Sequence, residues 1–230
     1  MKHLRKTKKK GRGSFFSLLI HMLFPPHCVF CNEVTYPGCP VCATCAREVQ
    51  RVHKFSRLNE SADGKVVWCV APYLYEGKVR DSILRFKFYG CREHAPVYAK
   101  GICEELAEQK FLSRMDIVTA VPLSKRRMRT RGYNQSALVA KEAAQLLELP
   151  YRDILEKYKE NKIQHELDRR NRAKNVRGVY RILPGEEITG KQILLIDDIM
   201  TTGATLQECA EVLLRHGAAS VLCAVIAVVQ

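Results

Sequence analysis

Two apolar runs near the C-terminus, KQILLIDD (191–198) and SVLCAVIAVV (220–229), flank LQECAEVLLRHGA (206–218), a helical pattern stopped by Gly217. Continuous apolar runs without polar alternation read as strands buried on both faces, and such strands need helices on either side of their sheet. The same alternation extends back to Lys65. VVWCVAPYLY (66–75) reads as a strand, and VRDSILRFKF (79–88) as a helix with Val79, Ile83, Leu84 and Phe88 at helical spacing. A second helix runs from Val97 to Leu112. DIVTAVP (116–122) reads as a buried strand closed by Pro122, and NQSALVAKEAAQLLEL (134–149) as a helix with Ala137, Leu138, Ala144 and Leu147 on its apolar face. The pattern predicts an α/β domain around a parallel sheet over residues 65–230.

The first of those strands runs into two adjacent carboxylates, Asp197 and Asp198, followed by MTTGAT. In open α/β sheets ligands bind at the carboxyl ends of strands. A helix N-terminus there offers unpaired N–H groups and a positive dipole end, which favour phosphate. Gly203 lets the backbone approach closely, the hydroxyls of Thr201, Thr202 and Thr205 add donors, and TLQE (205–208) has the pattern of a capping box. Acids beside a phosphate loop suit a polyhydroxylated phosphate ester, so a sugar phosphate is the expected ligand.

The chain has ten cysteines, five of them between Cys28 and Cys45. The others (Cys69, Cys91, Cys103, Cys209, Cys223) are scattered through apolar segments, which is the usage of a reducing compartment rather than a disulfide scaffold. CVFC (Cys28, Cys31) and CATC (Cys42, Cys45) are two C-x-x-C pairs separated by ten residues. Two such pairs complete a closed tetrahedral site, so structural zinc is expected within residues 27–60, which end in a linker-like NESADGK. CPVC (Cys39, Cys42) is also C-x-x-C. Cys42 and Cys45 are preferred because Cys39 follows a Pro-Gly turn, and Cys39 stays the alternative ligand.

Lys and Arg number 38 against 24 Asp and Glu, a net +14 that favours polyanionic partners and excludes nothing about fold. Residues 1–26 hold a basic run, MKHLRKTKKKGRG, and a ten-residue apolar stretch, FFSLLIHMLF, ending in PPHC. The stretch is too short to span a bilayer and lacks a small-residue cleavage site. It reads as a disordered basic tail and a short amphipathic helix, with peripheral contact to anionic lipid left open. A cytoplasmic protein without a transmembrane segment is expected.

ILLIDDIMTTGAT (193–205) resembles the signature by which type I phosphoribosyltransferases bind phosphoribosyl pyrophosphate (PRPP). The resemblance implies that fold, with a mobile hood. It assigns Asp197 and Asp198 to the ribose hydroxyls and Thr201, Thr202, Gly203, Ala204 and Thr205 to the 5′-phosphate. It also implies Mg²⁺ bridging ribose and pyrophosphate oxygens, and pyrophosphate at the turn Pro122, Leu123 and Ser124. KRRMRTRGYNQ adds Lys125, Arg126, Arg127, Arg129 and Arg131, and NKIQHELDRRNRAKNVRG suits the hood.

The apolar segment ending in Pro-Pro, both C-x-x-C pairs, YEGKVRDSILRFKFYG, RGYNQ, QHELDRRNRAKNVRG and the PRPP signature together resemble the ComF late-competence family, in the family's order. That resemblance implies a protein aiding entry of single-stranded DNA during natural transformation, binding PRPP and single-stranded DNA beside a DNA-translocating helicase. The arginines and lysine at 125–131 would then contact nucleic acid, with stacking open to Tyr133, Phe88 or Tyr89. The alternative is an active phosphoribosyltransferase with an unidentified nitrogen acceptor, with Arg169, Arg170, Arg172 and Lys87 stabilising the leaving pyrophosphate.

Overall fold

A computed structural model describes residues 24–60, 64–109, 115–159 and 178–230. In chain order the elements are helix α1 (Ala43–Glu48) and strands β1 (Lys54–Glu60), β2 (Val66–Ala71) and β3 (Tyr73–Leu74). Helices α2 (Gly77–Phe88) and α3 (Ala95–Glu108), strand β4 (Ile117–Ala120), and helices α4 (Lys125–Arg131) and α5 (Gln135–Leu146) follow. Strands β5 (Leu155–Lys157), β6 (Tyr180–Ile182) and β7 (Gln192–Met200), helix α6 (Ala204–Arg215) and strand β8 (Ser220–Val228) complete the chain.

The main sheet has the order β1-β2-β8-β7-β4, with β3 pairing the far end of β8. The pairs β2–β8, β8–β7 and β7–β4 are parallel, and β1 is an antiparallel edge strand. Strand β7 is buried from Ile193 to Ile196 because helices cover both faces. On one face lie α2, α3 and α5, contributing Ile83, Phe86, Ile102 and Val139 around Leu194 and Ile196. On the other lies α6, whose Leu206, Cys209, Ala210 and Leu213 recur at helical spacing against Ile193 and Leu195. Gly217, at φ +92, ends that helix where the side chain of Thr189 packs close. Each such buried aliphatic side chain contributes about 1.5–3 kcal/mol of transfer free energy.

The expected parallel α/β architecture is the observed one, and three local readings change. Residues 54–60, expected as part of a polar linker, form β1. It is an edge strand whose two apolar side chains pack on opposite layers, Phe55 stacked on Trp68 at 4.4 Å and Leu58 against the other layer, so its sequence carries little apolar signal. The run 66–75 breaks into two strands at Pro72. The capping box also fails to form: α6 starts after Gly203 with no side-chain cap, and the Glu208 carboxylate instead accepts from the Gly178 N–H at 2.6 Å.

The cysteine-rich segment is continuous with the body. Cys28, Val29, Phe30 and Cys45 are buried in the same core layer as α2 and α3. Arg85 donates to the carbonyls of Val29 at 3.0 Å and Phe30 at 2.7 Å, and Ser82 Oγ also donates to Val29. The N-terminal tail through residue 23, and residues 160–177, expected as the hood and holding Arg169, Arg170 and Arg172, lie outside the described residues. No helix among the described residues is long and apolar enough to cross a membrane.

Candidate functional site

Strand β4 stops at Ala120, opposite Ile196, while β7 continues four residues further beside β8. Asp197 and Asp198 therefore occupy the first positions of β7 with no partner on the β4 side. The pleat also changes phase there: Ile196 and Ile199, three residues apart, pack in the same layer, while Leu195 and Met200 pack in the other. These features together open a cleft of about 630 Å³ at the carboxyl end of the sheet.

Asp197 accepts from Ser136 Oγ and from the Asp198 N–H, both at 2.8 Å. Burial, followed by the charge of Asp198, pushes its carboxyl up to about 7 against those donors and the nearby Lys87. Asp198 is ion-paired to Lys87 Nζ at 2.8 Å, with both side chains about one-seventh exposed or less, at 14% and 13%. Lys87 sits on the last turn of α2, whose end is held from behind. The Tyr133 hydroxyl donates to the Phe86 carbonyl, and Gln135 Nε2 donates to the Lys87 carbonyl at 3.3 Å.

The turn after β4 forms the opposite wall. Pro122, Leu123 and Ser124 line the cleft, and Ser124 Oγ caps α4 by accepting from the Arg127 N–H at 3.4 Å. Helix α4 buries none of its residues and divides its charges. Arg126, Arg127 and Arg131 line the cleft with Thr130, whereas Lys125 and Arg129 do not. Of the loop residues, Thr205 lines the cleft, while Thr201 and Thr202 are exposed on the turn beyond Met200 and Ala204 opens α6. Gly203 is buried at φ +76, and a Cβ there would meet Leu58 Cδ2 at 3.1 Å. Gly203→Ala is expected to cost about 1–3 kcal/mol through left-handed strain and that contact, measurable by urea denaturation.

Sequence reasoning missed four contributors. Lys157 and Tyr180 line the cleft from the β5–β6 hairpin, Thr130 from α4, and Ser136 orients Asp197. Lys157, Tyr180 and Ser136 carry no local signal, since each reaches the site only through long-range packing, whereas Thr130 shares a helix face with Arg126 and Arg127, one turn before it.

The four expected metal ligands come together. The ligand atoms of Cys28, Cys31, Cys42 and Cys45 lie within 4.8 Å of one another, with Cys31 and Cys42 sulfurs 3.7 Å apart. A tetrahedral ion with metal–sulfur bonds of about 2.3 Å requires sulfur separations near ~3.8 Å, so this thiol set could hold a metal ion. Backbone N–H groups of Cys42 and Cys45 point at the sulfurs of Cys28 and Cys42, each at 3.4 Å. Burial raises the Cys28 thiol, but N–H donors from Cys31, Cys42 and Phe30 outweigh it and bring the thiol down to about 6. Cys39 is exposed and outside the cluster, in the turn where its N–H donates to Tyr36.

Comparison with known proteins adds the relationship. Residues 134–229, from the start of α5 through β8, match the family model described as a phosphoribosyl transferase domain. The chain is 35% identical over 200 residues to the DNA utilization protein YhgH of Escherichia coli O157:H7, covering 83% of this chain and 82% of that one. The YhgH of Escherichia coli strain K12 is 28% identical over 210 residues, covering 84% of this chain and 86% of that one. Competence protein ComFC of Streptococcus pneumoniae strain R6 is 33% identical over 151 residues, covering 66% and 64%. With its phosphoribosyl transferase domain behind a cluster of four cysteines, the chain belongs to the ComF-like family of competence and DNA utilization proteins.

Proposed function

We propose that this protein aids the internalisation of single-stranded DNA in natural transformation and carries a PRPP site. The observation that carries the reading is one cleft in which paired acids, Thr205 of the turn that follows them and three arginines of α4 converge, in a chain related to proteins named for competence and DNA use. Asp197 and Asp198 would accept from the ribose hydroxyls, and Thr201 to Thr205 would hold the 5′-phosphate. Pro122 to Ser124, with Arg126, Arg127 and Arg131, would hold the pyrophosphate. Lys87 would pass from Asp198 to a phosphate oxygen as PRPP enters, and Arg169, Arg170 and Arg172 would close over it.

Mg²⁺ would neutralise the pyrophosphate; it keeps its waters and prefers substrate phosphates, so the two acids and the ligand suffice as donors. Zinc suits the four thiols and would hold the N-terminal segment on α2. Lys125 and Arg129, which leave the cleft side of α4, would track a DNA backbone, beside a DNA-translocating helicase on the cytoplasmic side. Affinity for an oligonucleotide is expected to fall linearly in log–log plots against salt. Lys125→Ala with Arg129→Ala should reduce the slope by roughly 1.4, at about 0.7 for each phosphate that is no longer neutralised. No oligonucleotide binding by the full chain at low salt would reject the DNA role. Pyrophosphate release from PRPP over a panel of nitrogen acceptors tests transfer separately.

A further inference from the structure

The turn that follows α2 gathers a second set of metal-ligating side chains, outside both the cleft and the four-thiol cluster. Cys91, Glu93 and His94 each offer one ligand atom, and the three atoms lie within 4.8 Å of one another. They converge because Arg92–His94 form a single 3-10 turn, closed by the His94 N–H donating to the Cys91 carbonyl at 3.2 Å. Glu93 is exposed, Cys91 half-buried and His94 only 4% exposed.

Hydrogen bonds at His94 decide which ring nitrogen is available. Ser82 has one hydroxyl hydrogen and gives it to the Val29 carbonyl. The Tyr98 hydroxyl therefore donates to Ser82 Oγ. Both hydroxyl hydrogens are then spent. His94 Nδ1, 3.5 Å from Ser82 Oγ and 3.4 Å from the Tyr98 hydroxyl, carries the ring hydrogen and donates to them. Nε2 keeps the lone pair, and among the described residues no hydrogen bond reaches it. A bond on one imidazole nitrogen that leaves the other free is how metal-bound histidines are oriented. The cluster of His53, Glu105 and Glu108 differs, because Arg51 already pairs with Glu108 at 3.0 Å and His53 bridges both carboxylates.

We propose that Cys91, Glu93 and His94 form a second metal site, open at its fourth position and suited to zinc or a similar borderline-soft divalent ion. Thiolate, imidazole and carboxylate are the donors such ions take, and the two anionic ligands match the ion's charge. Tetrahedral bonds of about 2.0–2.3 Å put ligand atoms roughly 3.5 Å apart, a closure within reach of side-chain rotation at Cys91 and Glu93. Three protein ligands hold an ion less tightly than four thiolates. It therefore exchanges, and it is lost in a purification that leaves the thiol cluster filled. When bound, it fastens α3 to the end of α2 that carries Lys87.

Cobalt(II) tests the site on the full, zinc-loaded chain, because four thiolates select zinc and metal analysis reports whether zinc is kept. The wild type should bind about one further equivalent of Co²⁺, with thiolate-to-cobalt charge-transfer absorption. Cys91→Ala should abolish that absorption, with zinc content and the cobalt-free melting temperature those of the wild type. Glu93→Gln and His94→Gln should each weaken Co²⁺ by at least the roughly 10-fold that loss of an outer-shell partner costs. Cys91 and Glu93 both reach solvent, so their variants carry the test should His94→Gln not fold. The site is overturned if the wild type shows no cobalt–thiolate absorption, if the absorption survives Cys91→Ala, or if Glu93→Gln binds Co²⁺ as the wild type does.

Discussion

Asp197→Asn is expected to stabilise the ligand-free protein at neutral and alkaline pH while removing its affinity for PRPP. The carboxyl is held up to about 7 by burial and by the charge of Asp198, whereas the unfolded chain titrates near 3.8. Between those values the folded protein keeps a proton that the unfolded chain has shed. Stability therefore declines as pH rises from the unfolded value to the folded one, and the full penalty persists above it. An amide in the same place can still accept from Ser136 and from the Asp198 N–H without carrying the charge. The variant should gain at least about 1 kcal/mol at pH 8, roughly 2–4 °C in melting temperature, with the gain vanishing below pH 4.

Ligand binding should move the other way. A charged acceptor for a ribose hydroxyl contributes about 1.5–3 kcal/mol, so Asp197→Asn with Asp198→Asn should weaken PRPP by about 100-fold or more in calorimetry. Unchanged PRPP affinity in the double variant would reject the ribose assignment. A lower melting temperature for Asp197→Asn at pH 8 would show instead that its charge is well solvated. The opposed signs are what a residue kept for binding at the expense of folding should give.

Cys42→Ser is expected to empty the thiol site and to destabilise the whole chain. Structural zinc contributes about 10 kcal/mol or more to small four-ligand modules, so even part of that loss should lower the melting temperature by more than about 10 °C. The effect should spread because Cys28, Val29, Phe30 and Cys45 share a core with α2, and because Arg85 and Ser82 grip the Val29 and Phe30 carbonyls. The same helix ends at Lys87, the partner of Asp198, so PRPP affinity should fall along with metal content. Metal analysis should give about one ion per chain for the wild type and for Cys39→Ser, and close to none for Cys42→Ser. A Cys42→Ser protein that keeps its metal would reject the ligand set. One that loses metal yet melts unchanged would show that the segment is energetically separate from the body.

Much of the site was readable before any fold was known. Ile193 to Thr205 compresses a buried strand, two acids, a turn and a helix start into one local run, and each part has its own pattern. The partners of those acids were less readable. Ser136 lies 61 residues from Asp197, and the two meet only because α5 packs beside β7 where β4 has stopped. Lys157 and Tyr180 flank the segment 160–177 and reach the cleft through an antiparallel hairpin too short to show a strand period. Glu208 looked like a capping residue because its spacing from Thr205 was right, yet its carboxylate accepts from the Gly178 N–H, thirty residues away in sequence.

From the sequence by itself came the alternating strands and helices, the loop that suits a phosphate, and the two cysteine pairs. Each depends on spacing within a few residues, and backbone geometry translates such spacing directly into faces and turns. Only the tertiary structure decided which cations of α4 face the acids, that Cys39 stands outside the thiol cluster, and that Phe88 opens into the cleft. The same is true of the raised carboxyl of Asp197. Those outcomes depend on desolvation and on contacts between distant segments, and neither leaves a local trace in the order of residues.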